Sequence, residues 1–101
     1  MTIMREVVVS DMVRAKIAAL NSYLSEEFQL SREAAMFRIK RMEDFVETLA
    51  NPADYPLCRF KRWRVLGYRC VVFEKSWIFA YEIFDGGIIV RDMSHATVLV
   101  E

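Results

Sequence analysis

The C-terminal half of the chain carries three runs rich in Val, Ile, Phe, Tyr and Trp, separated by only a few residues. The runs span residues 67–74, 76–84 and 88–95. Asp-Gly-Gly at 85–87 matches the Asp-Gly signal of a tight hairpin turn, and Lys75-Ser76 forms a second short connection. Because links this short join only antiparallel neighbours, the three runs predict an antiparallel β-meander, with 97–100 as an extension or a short edge strand.

The N-terminal half has helical periodicity after one short strand. Residues 5–10 are rich in β-branched side chains and predict that strand. Ser10 and Asp11 supply oxygens that can cap a helix, and apolar residues then recur on one helix face. They are Val13, Ile17, Leu20, Leu24 and Phe28.

A second helix begins near Ser31, with Glu33 in its first turn, and ends at Asn51-Pro52, where proline disfavours helical backbone. Its apolar face comprises Ala35, Ile39, Met42, Val46 and Leu49. The short connection between the helices predicts a helical hairpin. We therefore predict one α+β domain over residues 1–101, with the hairpin on one side of a sheet that includes the first strand.

Length and composition exclude several classes of protein. No run approaches the roughly 18 apolar residues of a membrane span, and the N-terminus does not resemble a secretory signal. The expectation is a cytoplasmic protein with no membrane partner. Cys58 and Cys70 are interpreted as reduced structural thiols, since nothing else indicates an oxidising compartment. With one histidine, the chain offers no recognisable metal site, and we expect no cofactor.

A basic segment interrupts this neutral chain. Between positions 59 and 69 there are five basic residues and no acidic ones: Arg59, Lys61, Arg62, Arg64 and Arg69. The segment favours contact with an anionic target, and Trp63 between two arginines could stack on a base. A solvated strand edge protected by cations is the alternative. The hydrophobic fraction of 54% also favours an exposed partner surface or a homodimer.

In order and spacing, these pieces resemble the RelE/ParE toxin family over nearly the whole chain. The pieces that carry the resemblance are Asn-Ser-Tyr-Leu at 21–24, Ser-Arg-Glu-Ala-Ala at 31–35, Leu-Ala-Asn-Pro at 49–52, Trp-Ile-Phe-Ala-Tyr-Glu-Ile at 77–83 and Ile-Ile-Val-Arg-Asp-Met-Ser-His at 88–95. The resemblance implies a toxin neutralised by an antitoxin partner. Its RelE-like members cleave messenger RNA on the ribosome, whereas ParE-like members inhibit DNA gyrase.

Ribonuclease chemistry needs a base, an acid and a cation near the scissile phosphate. His95 and Glu82 are the candidates for proton transfer, with Tyr81 as a further one, and Arg69 and Arg91 for charge stabilisation. Strand alternation places Trp77, Phe79, Tyr81 and Ile83 against the helices and Ile89, Arg91, Met93 and His95 on one face. We therefore expect Arg69, Glu82, Arg91 and His95 to converge on an open sheet face. Structural roles are the alternative: hydrogen bonding for His95, cross-strand pairing for Glu82, and core positions for Tyr81 and Trp77.

The departures from the family pattern favour the binding branch. RNA-cleaving relatives resemble one another in a Tyr-Arg pair that corresponds here to Trp77-Ile78, and no basic or Tyr cluster follows His95. An alternative alignment restores the arginine by placing Gly67-Tyr68-Arg69 on that motif, but it leaves an extra strand before His95. The leading hypothesis is a ParE-like toxin that binds its target. A ribosome-dependent, metal-independent RNase and a non-toxic relative that only pairs with its antitoxin are the alternatives.

Overall fold

The computed structural model describes residues 4–26 and 31–97 and confirms the α+β arrangement of a strand, a helical hairpin and a meander. A 3-10 turn, Thr48–Ala50, follows the second helix. The short helix α3 was not predicted. The elements are β1 (Glu6–Val9), α1 (Asp11–Glu26), α2 (Arg32–Glu47), α3 (Lys61–Arg64), β2 (Arg69–Phe73), β3 (Trp77–Phe84) and β4 (Gly87–His95).

The four strands form one sheet in the order β1-β4-β3-β2. The meander strands pair antiparallel as predicted, while β1 returns to pair in parallel with β4. Gly87 makes that return feasible, because a Cβ at this position would overlap the backbone of Glu6. The first strand is thus an edge strand whose inner neighbour is the last strand of the meander.

The helical hairpin covers one face of the sheet, and the main core lies between them. Both predicted helix faces contribute to this core, from Val13 on α1 to Val46 on α2. Phe28 lies outside the described residues. Ser10 caps α1 by accepting from the Val13 N–H, and Ser31 caps α2 by accepting from the Ala34 N–H. The helix starts that the sequence predicts are therefore confirmed.

The helix-facing side of the meander contains Trp77, Phe79 and Tyr81, as predicted, with Phe79 and Tyr81 fully buried. Ile83 is paired with the core residue Ile88, but it is itself 43% exposed. The prediction that Ile83 packs in the core is therefore wrong.

The second face of the sheet is not fully open, contrary to expectation. Phe60 and Trp63 pack against Ile78 and Ala80 of β3 in a second buried cluster. The chain between α2 and β2 thus folds across the outer face of β2 and β3, because this packing removes the apolar side chains of Phe60 and Trp63 from water. The sequence analysis expected an open sheet face. This half of the sheet is covered, so it cannot serve as a partner surface.

Cys58 and Cys70 are joined in a disulfide, so the interpretation of two reduced thiols is wrong. The bond links the segment before α3 to β2. Backbone hydrogen bonds flank it, from the Cys58 N–H to the Tyr68 carbonyl and from the Cys70 N–H to the Pro56 carbonyl. Sequence spacing alone did not show this pairing, because the intervening residues fold back on themselves.

No helix within 4–26 and 31–97 is long and apolar enough to cross a membrane. The last strand ends at His95 and a turn follows it, so Thr97 does not extend the sheet. The rest of the predicted extension, 98–100, lies outside the described residues.

Candidate functional site

The four predicted catalytic residues do not converge; only Glu82 and Arg91 come together. The Nε of Arg91 lies 3.6 Å from Oε2 of Glu82, on the sheet face opposite the helical hairpin. They form a cross-strand ion pair, which is of modest strength because both side chains are partly exposed to solvent. The structural alternative for Glu82 therefore fits its surroundings.

His95 lies on the helix-facing side, away from that pair. It is directly opposite Trp77, and the two rings meet edge to face with centroids 5.1 Å apart. Its Nδ1 lies 2.8 Å from Oγ1 of Thr97 and accepts from the Thr97 N–H at 3.3 Å. His95 therefore has its own local partners and contacts none of the other three candidates.

A β-bulge explains why the predicted face of β4 is wrong. Ala80 pairs with Asp92, whereas the next residue, Tyr81, pairs with Val90, so Arg91 is an extra residue without an opposite partner. One extra residue reverses the alternation of every side chain beyond it. Consequently Met93 lies in the helix-facing core, whereas Arg91 contacts Glu82 on the other face.

Arg69 is also separated from Glu82, because it pairs with Tyr81, whose side chain faces the helices. Its Nη1 donates to the carbonyl of Tyr55 at 2.7 Å. Arg69 therefore holds the chain that precedes α3 and does not stabilise charge beside Glu82.

The basic segment contains the most accessible group of candidates. Lys61, Arg62 and Arg64 on α3 are exposed, as is Arg59 just before it. The next two residues are aliphatic and face solvent, Val65 with 71% and Leu66 with 58% of their surface exposed. We name Lys61, Arg62, Arg64, Val65 and Leu66 the α3 surface.

Trp63 does not belong to this surface, since it is only 2% exposed, and the expectation that it stacks on a base is wrong. Its ring packs edge to face against Phe60, and the Arg62 guanidinium lies 5.0 Å from its centroid. Trp63 instead anchors α3, so that the basic side chains on the same turn face outward.

Asp92 holds this anchor in place from the bulge of β4. Its Oδ2 accepts from the Trp63 indole N–H at 3.3 Å and lies 4.0 Å from the Arg62 guanidinium. Its Oδ1 accepts from Lys16 Nζ at 2.7 Å, which brings α1 to the same carboxylate. Sequence reasoning missed Asp92, because no local pattern links residue 92 to residues 16 and 63.

A polar cluster fixes the chain where it leaves α2. Arg5 donates to Oδ1 of Asp54 at 2.6 Å, and the Tyr81 hydroxyl donates to the same oxygen at 3.3 Å. The hydrogen bond from Arg5 lowers the pKa of Asp54 below its ordinary value, and burial raises the pKa of Tyr81 above its own. Because Tyr81 is fully buried, this cluster is structural, and Tyr81 is a core residue, as the alternative held.

A groove of about 390 Å³ runs beside β1, under the hairpin. Apolar side chains of β1 and both helices line it, and charged residues lie at its rim. The lining includes Val7, Val9, Ile17, Ile39, Val46, Arg14, Glu43 and Glu47. We name it the β1 groove.

The backbone of β1 directs hydrogen-bonding groups away from the sheet. The N–H groups of Glu6 and Ser10 donate inward, to the carbonyl of Gly86 just before β4 and to the carbonyl of Val90 within it. Since a parallel ladder engages alternate residues of a strand, the N–H and C=O of Val7 point to the outer edge. On the same edge the Arg5 N–H donates to the Ala50 carbonyl and the Val9 carbonyl accepts from Arg14 Nε, so Val7 is the position at which a further strand could pair.

The chain matches no protein-family model and no curated protein sequence.

Proposed function

We propose that this protein is a cytoplasmic toxin of a type II toxin–antitoxin module that inhibits growth by binding its target. The α3 surface carries the proposal: three exposed cations and two exposed aliphatic side chains on one buried anchor. Such a surface suits contact with a large anionic partner, for which DNA gyrase with its bound DNA is the candidate. The resemblance to the ParE-like branch and the strand–hairpin–meander order support the same function.

The β1 groove is the proposed antitoxin site. An extended antitoxin segment would add a strand at Val7 and insert apolar side chains beside Ile17 and Val46. The acidic rim at Glu43 and Glu47 favours basic residues on the part of the antitoxin that crosses it. Target and antitoxin would then occupy different surfaces, and neutralisation would depend on the bulk of the antitoxin beside the target.

The positions of the catalytic candidates favour binding over cleavage. A concerted attack on a phosphate needs the base and the charge-stabilising group within hydrogen-bond reach of one reacting centre. His95 and the Glu82–Arg91 pair lie on opposite faces of the sheet. These groups therefore do not assemble the site that the RNase hypothesis required.

The side chains that surround His95 support RNA cleavage as a second candidate function. Together with Arg38 and Ser76 it lines a cleft of about 440 Å³ at the end of the hairpin, beside Trp77. Arg38 could hold a phosphate there while His95 transfers a proton. Discrete breaks in translated messages after induction, abolished in His95→Ala, are the signature of this alternative.

The experiment combines growth after induction with a supercoiling assay on purified gyrase. We expect the wild-type protein to stop growth and inhibit supercoiling. Lys61→Glu with Arg64→Glu should weaken inhibition at least tenfold, because repulsion replaces attraction at the target. His95→Ala should retain activity. Arg32→Glu with Lys40→Glu, at two exposed positions of α2, is the charge-matched control.

Three other outcomes would each contradict a part of this proposal. Full activity of the α3 double variant would remove the α3 surface from the proposal. Message breaks produced by the wild type, together with loss of activity and of those breaks in His95→Ala, would favour the RNase. No growth effect in several hosts, with stable binding to the product of an adjacent short reading frame, would favour the non-toxic relative.

The antitoxin site has a separate test by co-purification with that adjacent product. Glu43→Arg should reduce recovery of the complex, since it reverses charge at the rim of the β1 groove. Asp44→Arg is the control on the same helix, because Asp44 pairs with Lys40 outside the groove. Equal recovery in both variants would move the antitoxin to another surface.

A further inference from the structure

The disulfide encloses the whole α3 surface. Cys58 and Cys70 bracket a short loop that contains all its basic and aliphatic members. We propose that this bond is a redox switch, which fixes the α3 surface for target binding when oxidised and releases it when reduced. The switch rests on the proposed function only for the identity of the target.

Besides the disulfide, the outward side of the loop is held by short-range backbone hydrogen bonds, from the N–H groups of residues 63–68 to the carbonyls of residues 60–64. α3 is a single turn of four residues, too short to persist by its own hydrogen bonds. Phe60 and Trp63 anchor one side of it against β3, whereas Val65 and Leu66 have little packing. The disulfide is the covalent constraint that closes the other side.

Reduction acts directly on the contact between the loop and β2. Cys58 is fully buried, and two unbonded sulfur atoms need more room than a bonded pair. The backbone hydrogen bonds of both cysteines connect the same two segments, so separation of the thiols also lengthens those bonds. The expected result is a loop that remains anchored at Trp63 but loses its fixed shape around residues 64–68.

The chemistry is thiol–disulfide exchange with a small thiol. A thiolate attacks the sulfur of Cys70, the less buried of the pair, forming a mixed disulfide there and releasing Cys58 as a thiolate. A second small thiol then attacks the mixed disulfide. The products are one oxidised small disulfide and two protein thiols, after uptake of protons from solvent. The reverse sequence, with a small disulfide as oxidant, closes the loop.

Activation by oxidation fits the proposed location in the cytoplasm. A reducing cytoplasm keeps most cysteine pairs as thiols. The binding-competent form is therefore a minority in unstressed cells, sufficient to stop growth when the protein is overproduced by induction, and it accumulates when the pool of small disulfides rises. Toxin activity would follow oxidation of the cell without any change in the amount of protein.

The test compares the oxidised and dithiothreitol-reduced full chain by hydrogen-exchange mass spectrometry. We expect exchange of amides 64–68 to rise on reduction at least tenfold more than exchange of α1, α2 and β4. The double variant Cys58→Ser, Cys70→Ser should match the reduced protein in both buffers. Equal exchange of the loop in both redox states overturns the switch, and so does a uniform rise across the molecule.

The same two samples enter the gyrase supercoiling assay. Inhibition at least tenfold weaker in the reduced sample supports the switch at the target-binding surface. Equal inhibition in both states overturns the control of binding. If neither sample inhibits gyrase but hydrogen exchange of the loop still rises on reduction, the result supports the loop switch and rejects gyrase as the target.

Discussion

The indole N–H of Trp63 donates to a carboxylate oxygen of Asp92 at 3.3 Å, which joins α3 to the bulged part of β4. The same carboxylate binds Lys16 of α1. One side chain therefore connects the hairpin layer, the sheet and the loop that crosses the opposite face. The orientation of the α3 surface depends on this connection.

Asp92→Ala should lower the free energy of unfolding by about 1–3 kcal/mol, because Trp63 and Lys16 lose a charged acceptor in a partly buried site. Urea denaturation monitored by Trp fluorescence measures the change. Asp44→Ala is the matched control: its pair with Lys40 is exposed, and such a pair contributes under about 0.5 kcal/mol. Equal losses in the two variants would show that Asp92 is not a structural connection.

Trp63→Ala should cost about 3–5 kcal/mol, the usual range for removing a large buried aromatic side chain. Leu66→Ala, three residues along the same loop, should change stability by less than about 0.5 kcal/mol because Leu66 is exposed. Thermal unfolding of both variants checks this difference. A small loss in Trp63→Ala would mean that Trp63 is not the anchor of α3.

Removing the disulfide in Cys58→Ala, Cys70→Ala should reduce stability by about 3 kcal/mol, the loop-closure contribution for a loop of this length. Unfolding of the wild type with and without reductant gives an independent measure of the same quantity. The double variant should not respond to reductant. An unchanged midpoint in the reduced wild type would contradict the expectation.

Asp54 should contribute to acid unfolding. Its pKa is lowered in the folded state, chiefly by the hydrogen bond from Arg5, so its stabilising effect is complete above the ordinary value of 3.8. That stability is lost as the pH falls below 3.8 and through the lower folded-state pKa. Asp54→Asn should therefore flatten the fall in unfolding free energy from about pH 4 downward. Urea titrations at several acidic pH values test this, and an unchanged slope would contradict it.

Local sequence patterns determined the fold class of this protein. Apolar spacing of three and four, with Ser10 and Ser31 as caps, specifies the two helices because those signals act within one or two turns. Alternating β-branched and aromatic residues with an Asp-Gly turn specify the meander for the same reason. The helix-facing set Trp77, Phe79 and Tyr81 follows directly from that alternation.

Only the tertiary structure decided which side chains meet. The bulge at Arg91 depends on pairing with β3, and it separates His95 from Glu82, although strand alternation without a bulge placed them together. The burial of Trp63, the disulfide and the role of Asp92 arise where segments distant in sequence pack together. The side-chain period, two residues in a strand and 3.6 in a helix, describes one element at a time. The candidate surface, in contrast, depends on the register and contacts between elements, which no single stretch of this sequence encodes.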